Sequence, residues 1–275
     1  MGRRLLSMGG AGIAFGLSVL LAYGIWIEPY RVEVHHVRIR DAYLGRVLGA
    51  KTVVQLSDLH IREVGRRERL VLDRVNGLHP DIIFLTGDYV QWRGEYEGAL
   101  RFLSLLKAEN GIWAVMGDYD YSDSRKSCLF CHEKGNARPA RGHSVRFLRN
   151  SCDTISLGGE TLTVAGVDAE GDEYHSLPAL KRERPSLVLS HSPLLFDLFD
   201  EQEQVTLLAG DTHGGQVPLP PWLFGVLGYE KNALYNQGLF EKGRKRMFVS
   251  RGIGTSHLPL RILRPPEVVV LHFTP

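Results

Sequence analysis

Short runs of consecutive apolar residues alternate along this chain with segments whose apolar residues recur every three or four positions. The runs are Val53–Leu56, Ile82–Leu85, Ile112–Met116, Thr161–Val167, Leu187–Leu189 and Val205–Ala209. Rich in β-branched residues and unbroken by charged ones, they read as strands buried on both faces. Between them, Val71, Val75 and Leu78 share one face of a helix from Arg66 to Leu78, and Leu100, Leu103 and Leu106 mark another. Alternating strands and helices predict an α/β fold. Val32, Val34, Val37 and Ile39 suggest a lead-in strand followed by a turn. Arg244–Arg246 reads as a turn before a strand at Met247, and Glu267–Phe273 as a final, edge-like strand.

The N-terminus departs from this pattern. Leu5 to Ile27 carries no charge and is long enough to cross a bilayer, although five glycines interrupt it. Gly2-Arg3-Arg4-Leu5-Leu6-Ser7 resembles a twin-arginine export signal. Uncleaved anchor and cleaved signal both fit residues 1–27, and both put the body, 28–275, outside the cytoplasm, facing the periplasm or cell exterior. The chain has 275 residues and a net charge of +2, which speaks against a dedicated nucleic-acid binder. Three cysteines are too few for a disulfide framework.

The chemistry sits where the apolar runs stop. Val53–Leu56 leads into Ser57-Asp58-Leu59-His60, Ile82–Thr86 into Gly87-Asp88, and Ile112–Met116 into Gly117-Asp118-Tyr119-Asp120. Later runs end at Ser190-His191 and at Gly210-Asp211-Thr212-His213-Gly214-Gly215. On a chain still extended, Asp58 and His60 would share a face. One such aspartate is commonly a turn or a cap. Five strand ends delivering carboxylate and imidazole together point to a metal centre of Zn, Mn or Fe type.

These motifs, with Ser190-His191-Ser192-Pro193, Gln216 and the tail Ser250–Thr255, resemble the calcineurin-like metallophosphoesterases. The likeness is to an exported or membrane-anchored bacterial branch that includes UDP-2,3-diacylglucosamine hydrolases. The resemblance implies a four-layer αββα sandwich. It implies a dinuclear centre in which Asp58, His60 and His213 hold one metal and Asp118, His191 and Asp211 the other, bridged by Asp88. Asp88, Tyr119 and His191 would be catalytic, and a metal-bridging hydroxide would attack a phosphodiester or diphosphate in a small-molecule, nucleotide-sugar or lipid substrate. Arg261 and Arg264 would approach the phosphate. UDP-2,3-diacylglucosamine itself is disfavoured by an export signal, because that hydrolase works on the cytosolic side.

Two motifs depart from the family. Gly-Asn-His becomes Gly117-Asp118-Tyr119, and Gly-His-x-His becomes Gly210-Asp211-Thr212-His213. Three readings stay open: an oxygen-rich second site suited to Mn or Mg, a site that needs a cation but holds it weakly, or a decayed one. Tyr119 in place of histidine is a poorer acid, which favours a leaving group that needs little protonation, such as a diphosphate.

Residues 121–150 read as a basic insertion containing Cys128-Leu129-Phe130-Cys131-His132. Cys128, Cys131 and His132 match the c-type haem attachment pattern. A disulfide, or a metal clip with His143 or Cys152, fits as well. A competing role is therefore a degenerate phosphoesterase fold working as a haem or redox sensor.

Overall fold

The computed structural model describes residues 2–91, 96–121, 143–168, 177–256 and 258–275. A long helix, α1 (Gly2–Trp26), leads into β1 (Glu33–Arg40) and α2 (Ala42–Leu48). There follow β2 (Val53–Leu56), α3 (Arg66–Gly77), β3 (Ile82–Thr86), α4 (Glu97–Leu105), β4 (Gly111–Val115) and β5 (Val145–Phe147). Next come β6 (Ser151–Leu157), β7 (Glu160–Val167), α5 (Leu177–Arg182), β8 (Leu187–Ser190) and β9 (Val205–Ala209). The chain closes with α6 (Pro221–Val226), α7 (Glu230–Leu234), β10 (Gly238–Lys242), β11 (Lys245–Val249) and β12 (Glu267–Thr274).

Two six-stranded sheets, ordered β1-β12-β2-β3-β4-β5 and β10-β11-β9-β8-β7-β6, lie face to face. Strand alternation explains why the apolar runs are continuous. In β2 and β3, Val53, Ile82 and Phe84 point inward to meet Leu187, Leu189 and Leu208 of the second sheet. Val54, Leu56, Ile83 and Leu85 point outward, under α3 and α4. On the opposite flank, Leu177 and Leu180 of α5 pack on the second sheet. The result is the αββα sandwich. Gln55 ties the sheets beside the site, its Nε2 donating to Ala209 O at 3.0 Å.

Several local expectations change. β12 is not an edge: it lies between β1, which it pairs in parallel, and β2, which it meets antiparallel. Its buried Val268–Leu271 face both layers, which an edge strand's would not. Residues 42–48 form a helix rather than a turn, because Asp41 caps it by accepting the Tyr43 and Leu44 N–H at 3.0 Å. Lys245 begins β11 instead of a turn and is buried, its ammonium donating to the Phe196 and Phe199 carbonyls. Residues 145–147, at the end of the basic segment, pair with β4.

α1 presents Ile13, Phe15 and Leu17 outward and is long and apolar enough to cross a membrane. Its last turn is fastened to the body. Gly24 lies so close to the 261–262 backbone that a Cβ would come within 2.9 Å of Arg261 O, and Arg261 N donates to Gly24 O at 2.9 Å.

Candidate metal centre

Every strand-end residue singled out above lies on one edge of the sandwich, where β2, β3, β4, β8 and β9 finish. The chain there is not extended. β2 stops at Leu56, and Asp58 (φ 50°) and His60 (φ 45°) are left-handed, as are Asp88 (57°), Asp211 (75°) and His213 (53°). Their side chains converge because the backbone turns back, not because alternation puts them on one face. Each such residue costs about 1–3 kcal/mol. Main-chain bonds between neighbouring strand ends offset it: Asp58 N to Gly87 O and His60 N to Asp88 O, both 2.9 Å. The carboxylates join in, Asp58 Oδ1 accepting Asp211 N–H and Asp88 Oδ1 accepting Tyr119 N–H, again at 2.9 Å.

Among the described residues three overlapping groups of donors result, the ligand atoms of each within 4.8 Å of one another: Asp58, His60 and His213; Asp58, Asp88 and His191; Asp118, His191 and Asp211. Asp88 stands between two histidines, with Oδ2 3.4 Å from His60 Nε2 and Oδ1 3.4 Å from His191 Nε2. His60 and His213 stack with their Nε2 atoms 3.1 Å apart.

Residues 51–215 match the calcineurin-like phosphoesterase family, more than half of the chain. The chain belongs to that family. Similar proteins include the uncharacterized metallophosphoesterase YkuE of Bacillus subtilis, 28% identical over 98% of this chain and 96% of the relative. An uncharacterized metallophosphoesterase of Aquifex aeolicus is 27% identical over 93% of this chain and 97% of its own length. Among solved structures, the sulfate thiohydrolase SoxB of Thermus thermophilus aligns with 82% of this chain and 57% of its own, at 14% identity and a TM-score of 0.45.

A phosphoesterase of this family implies divalent cations, and the donor set fits them. Asp58 Oδ2, His60 Nδ1 and His191 Nε2 are buried with no hydrogen-bond partner among the described residues, a condition costing about 1–3 kcal/mol per group unless something else satisfies it. His191 Nδ1 lies 2.8 Å from Thr86 O, which fixes the ring and aims Nε2 at the carboxylates. Without a cation, protons redistribute the charge. Burial, then the charges of Asp88 and Asp211, raise Asp58 to about 7 even though His191 opposes them. Burial takes His60 down to about 4 and His213 well below its ordinary value. Against burial, Asp88, Asp211 and Asp58 lift His191 far above its usual range. Its Nε2 is within ion-pair distance of Asp88 without a hydrogen-bond alignment, so charge rather than direction holds the two together.

Tyr119 lies beside this cluster, its ring edge-on to His60 at 4.7 Å. Burial and the neighbouring Asp88, Asp118 and Asp211 charges push its phenol up to about 12. Asp118 is the outlying member, its side chain 52% exposed.

Two further residues shape the phosphoesterase site. Asp120 is fully buried and accepts N–H bonds from Asp88, Tyr89, Val90 and Gly117 at 2.8–3.2 Å, pinning the ends of β3 and β4 together. Its place in the run Gly117–Asp120 was a visible signal. Lys231, on α7, bonds Asp211 Oδ2 and lies 3.9 Å from Asp118 Oδ2. Nothing in its sequence neighbourhood marks it. Arg261 does not open toward a phosphate: it is fully buried and donates to the Arg251, Gly254 and Arg264 carbonyls. Arg264 donates to Gly214 O at 3.0 Å. Cys128, Cys131 and His132 lie outside the described residues. Of their suggested partners, Cys152, in β6, is a free thiol among the described residues, and His143 is buried with Nδ1 3.3 Å from Val145 N.

Proposed function

We propose that residues 28–275, carried outside the cytoplasm on the apolar segment 1–27, hydrolyse a phosphodiester or diphosphate bond in a lipid or nucleotide-sugar substrate. Asp58, His60 and His213 would hold one divalent cation, Asp118, His191 and Asp211 another, with Asp88 between. The observation that carries this reading is the overlap of the three donor groups through Asp58 and His191. Bound there, the cations would supply Lewis acidity toward the phosphoryl oxygens and an acidified water. The weight of carboxylates in the second group favours Mn or Mg over Zn.

The remaining roles belong to the protein. Asp88 reaches toward both groups and is kept charged: burial works against it, but His191, His60 and the Tyr119 N–H together hold its carboxyl below the ordinary range. Tyr119 keeps its Oη proton at neutral pH, so it donates a hydrogen bond to a phosphoryl or leaving-group oxygen rather than transferring the proton. A leaving group that is already acidic suits this arrangement.

Asp88→Asn tests the assignment. The full chain loaded with manganese should hydrolyse an aryl phosphodiester, and the variant should lose roughly a thousandfold in rate with an unchanged circular dichroism spectrum. A variant as active as the parent would remove Asp88 from the chemistry. Alkyl phosphodiesters should be turned over far more slowly than aryl ones; equal rates would sink the leaving-group argument.

A further inference from the structure

A cleft of about 490 Å³ joins the end of α1 to the metal centre. Its lining is mixed in chemistry: Ile25, Trp26 and Pro29, at and just after the end of α1, are apolar, Arg62 and Arg66 are cationic, and His60 belongs to the metal centre. Arg67 is also there, but it is neutralised by Glu68 at 2.7 Å. Arg62 and Arg66 make no ion pair with a carboxylate among the described residues; Arg66 rests over the Tyr30 ring at 5.3 Å. Even with Glu63 counted, the wall carries a net positive charge.

We infer that this cleft binds a phosphate-bearing lipid, with its phosphate on Arg62 and Arg66 beside His60 and its acyl chain along Ile25, Trp26 and Pro29. This rests on the phosphoesterase reading above and names the kind of substrate that reading would serve. Guanidinium groups with no carboxylate partner match a phosphate's charge and geometry. A water-soluble nucleotide has no use for the apolar lining, whereas an acyl chain does. That lining is continuous with a helix of bilayer-spanning length whose Ile13, Phe15 and Leu17 face outward. The fastening of Gly24 to Arg261 holds the helix end at the mouth of the cleft. A lipid in the same bilayer would therefore reach the metal centre along the surface of the anchor itself.

The test is binding, measured by calorimetry on the metal-stripped full chain in a maltoside detergent, so that turnover does not consume the ligand. Dihexanoyl phosphatidic acid should bind at least roughly tenfold tighter than glycerol phosphate, the effect of burying about two methylene groups. Trp26→Ala should abolish that preference and leave glycerol phosphate unchanged. Ile13→Ala serves as the control, since both side chains are 68% exposed and neither change should disturb folding. Arg62→Gln with Arg66→Gln should weaken both ligands about tenfold or more. Equal affinity for the two ligands, or a preference that survives Trp26→Ala, would overturn the proposal. Dihexanoylglycerol, which carries no phosphate, binding as tightly as the phosphatidic acid would do the same. If Asp88→Asn stays active while the lipid preference holds, the catalytic assignment falls and the cleft stands.

Discussion

The Asp58–His60–His213 group and the Asp118–His191–Asp211 group share one site but are built from different material. All three members of the first are buried. The tail of the chain closes over them: Ile253 N donates to Ser57 O at 3.1 Å and Gly254 N to Asp58 O at 2.6 Å. Gly210 completes the packing, since a Cβ there would come within 2.6 Å of Asp58 Oδ2. In the second group only His191 is buried; Asp118 is exposed, on a short turn, and Asp211 is paired with Lys231 from the five-residue α7. The first half is enforced by the packing of the fold around it. The second is assembled by opposite charges, which solvent and competing cations can rearrange.

The largest expected effect follows directly. Asp58→Asn should strip the tightly held cation and cost on the order of a thousandfold in hydrolysis. Asp118→Asn, which restores the family's usual amide, should change rate by about tenfold or less, because an exposed carboxylate is already screened. Metal content by elemental mass spectrometry, alongside rates on an aryl phosphodiester, checks both. Equal losses from the two substitutions would erase the distinction between the halves.

Much of this site was legible in the sequence because its logic is periodic. An apolar run that ends in Gly-Asp or Asp-x-His announces both a buried strand and what its end delivers, and the structure brings those ends to one edge. What could not be read depends on contacts between distant segments. The left-handed turns at Asp58 and His60 arise from bonds to residues 87 and 88. The interior place of β12 depends on β1 and β2 pairing on either side of it. Lys245 looks like a turn residue until two carbonyls of the 193–198 turn and its flank are found around its ammonium. Lys231 lies twenty residues after Asp211 and meets it only through α6 and α7 folding back.

Lys231 offers the sharper test of the second half. Its ammonium and a divalent cation would compete for Asp211 Oδ2, so Lys231→Gln should tighten the weaker of two manganese-binding steps. Because the lysine side chain is 31% exposed, the gain should be modest, roughly three- to tenfold. The stronger step should not move. Titration followed by electron paramagnetic resonance separates the two. Weaker binding in the variant would mean that the lysine steadies two carboxylates that otherwise repel each other, and the second half would then be organised before any cation arrives.

The smallest effect concerns what braces the first half. Glu267 is buried and accepts Arg251 N at 2.7 Å and Arg251 Nε at 3.0 Å, with His35 Nδ1 2.9 Å away. Burial would raise its pKa, but His35 and Arg251 outweigh burial and hold the carboxyl below the usual glutamate value of 4.5. A carboxylate depressed in the folded state stabilises it above the unfolded pKa, and that contribution disappears as pH falls through the folded one. Urea melts across a pH series should therefore show the parent losing stability as pH drops below 4.5. Glu267→Gln should be less stable at neutral pH and should lack that part of the slope. Because Glu267 fixes Arg251, next to the Gly252–Gly254 backbone lying against Asp58 and His60, the variant should also weaken the tighter manganese step and spare the weaker one. An unchanged acid slope with both steps intact would show that the tail merely covers the first half without bracing it.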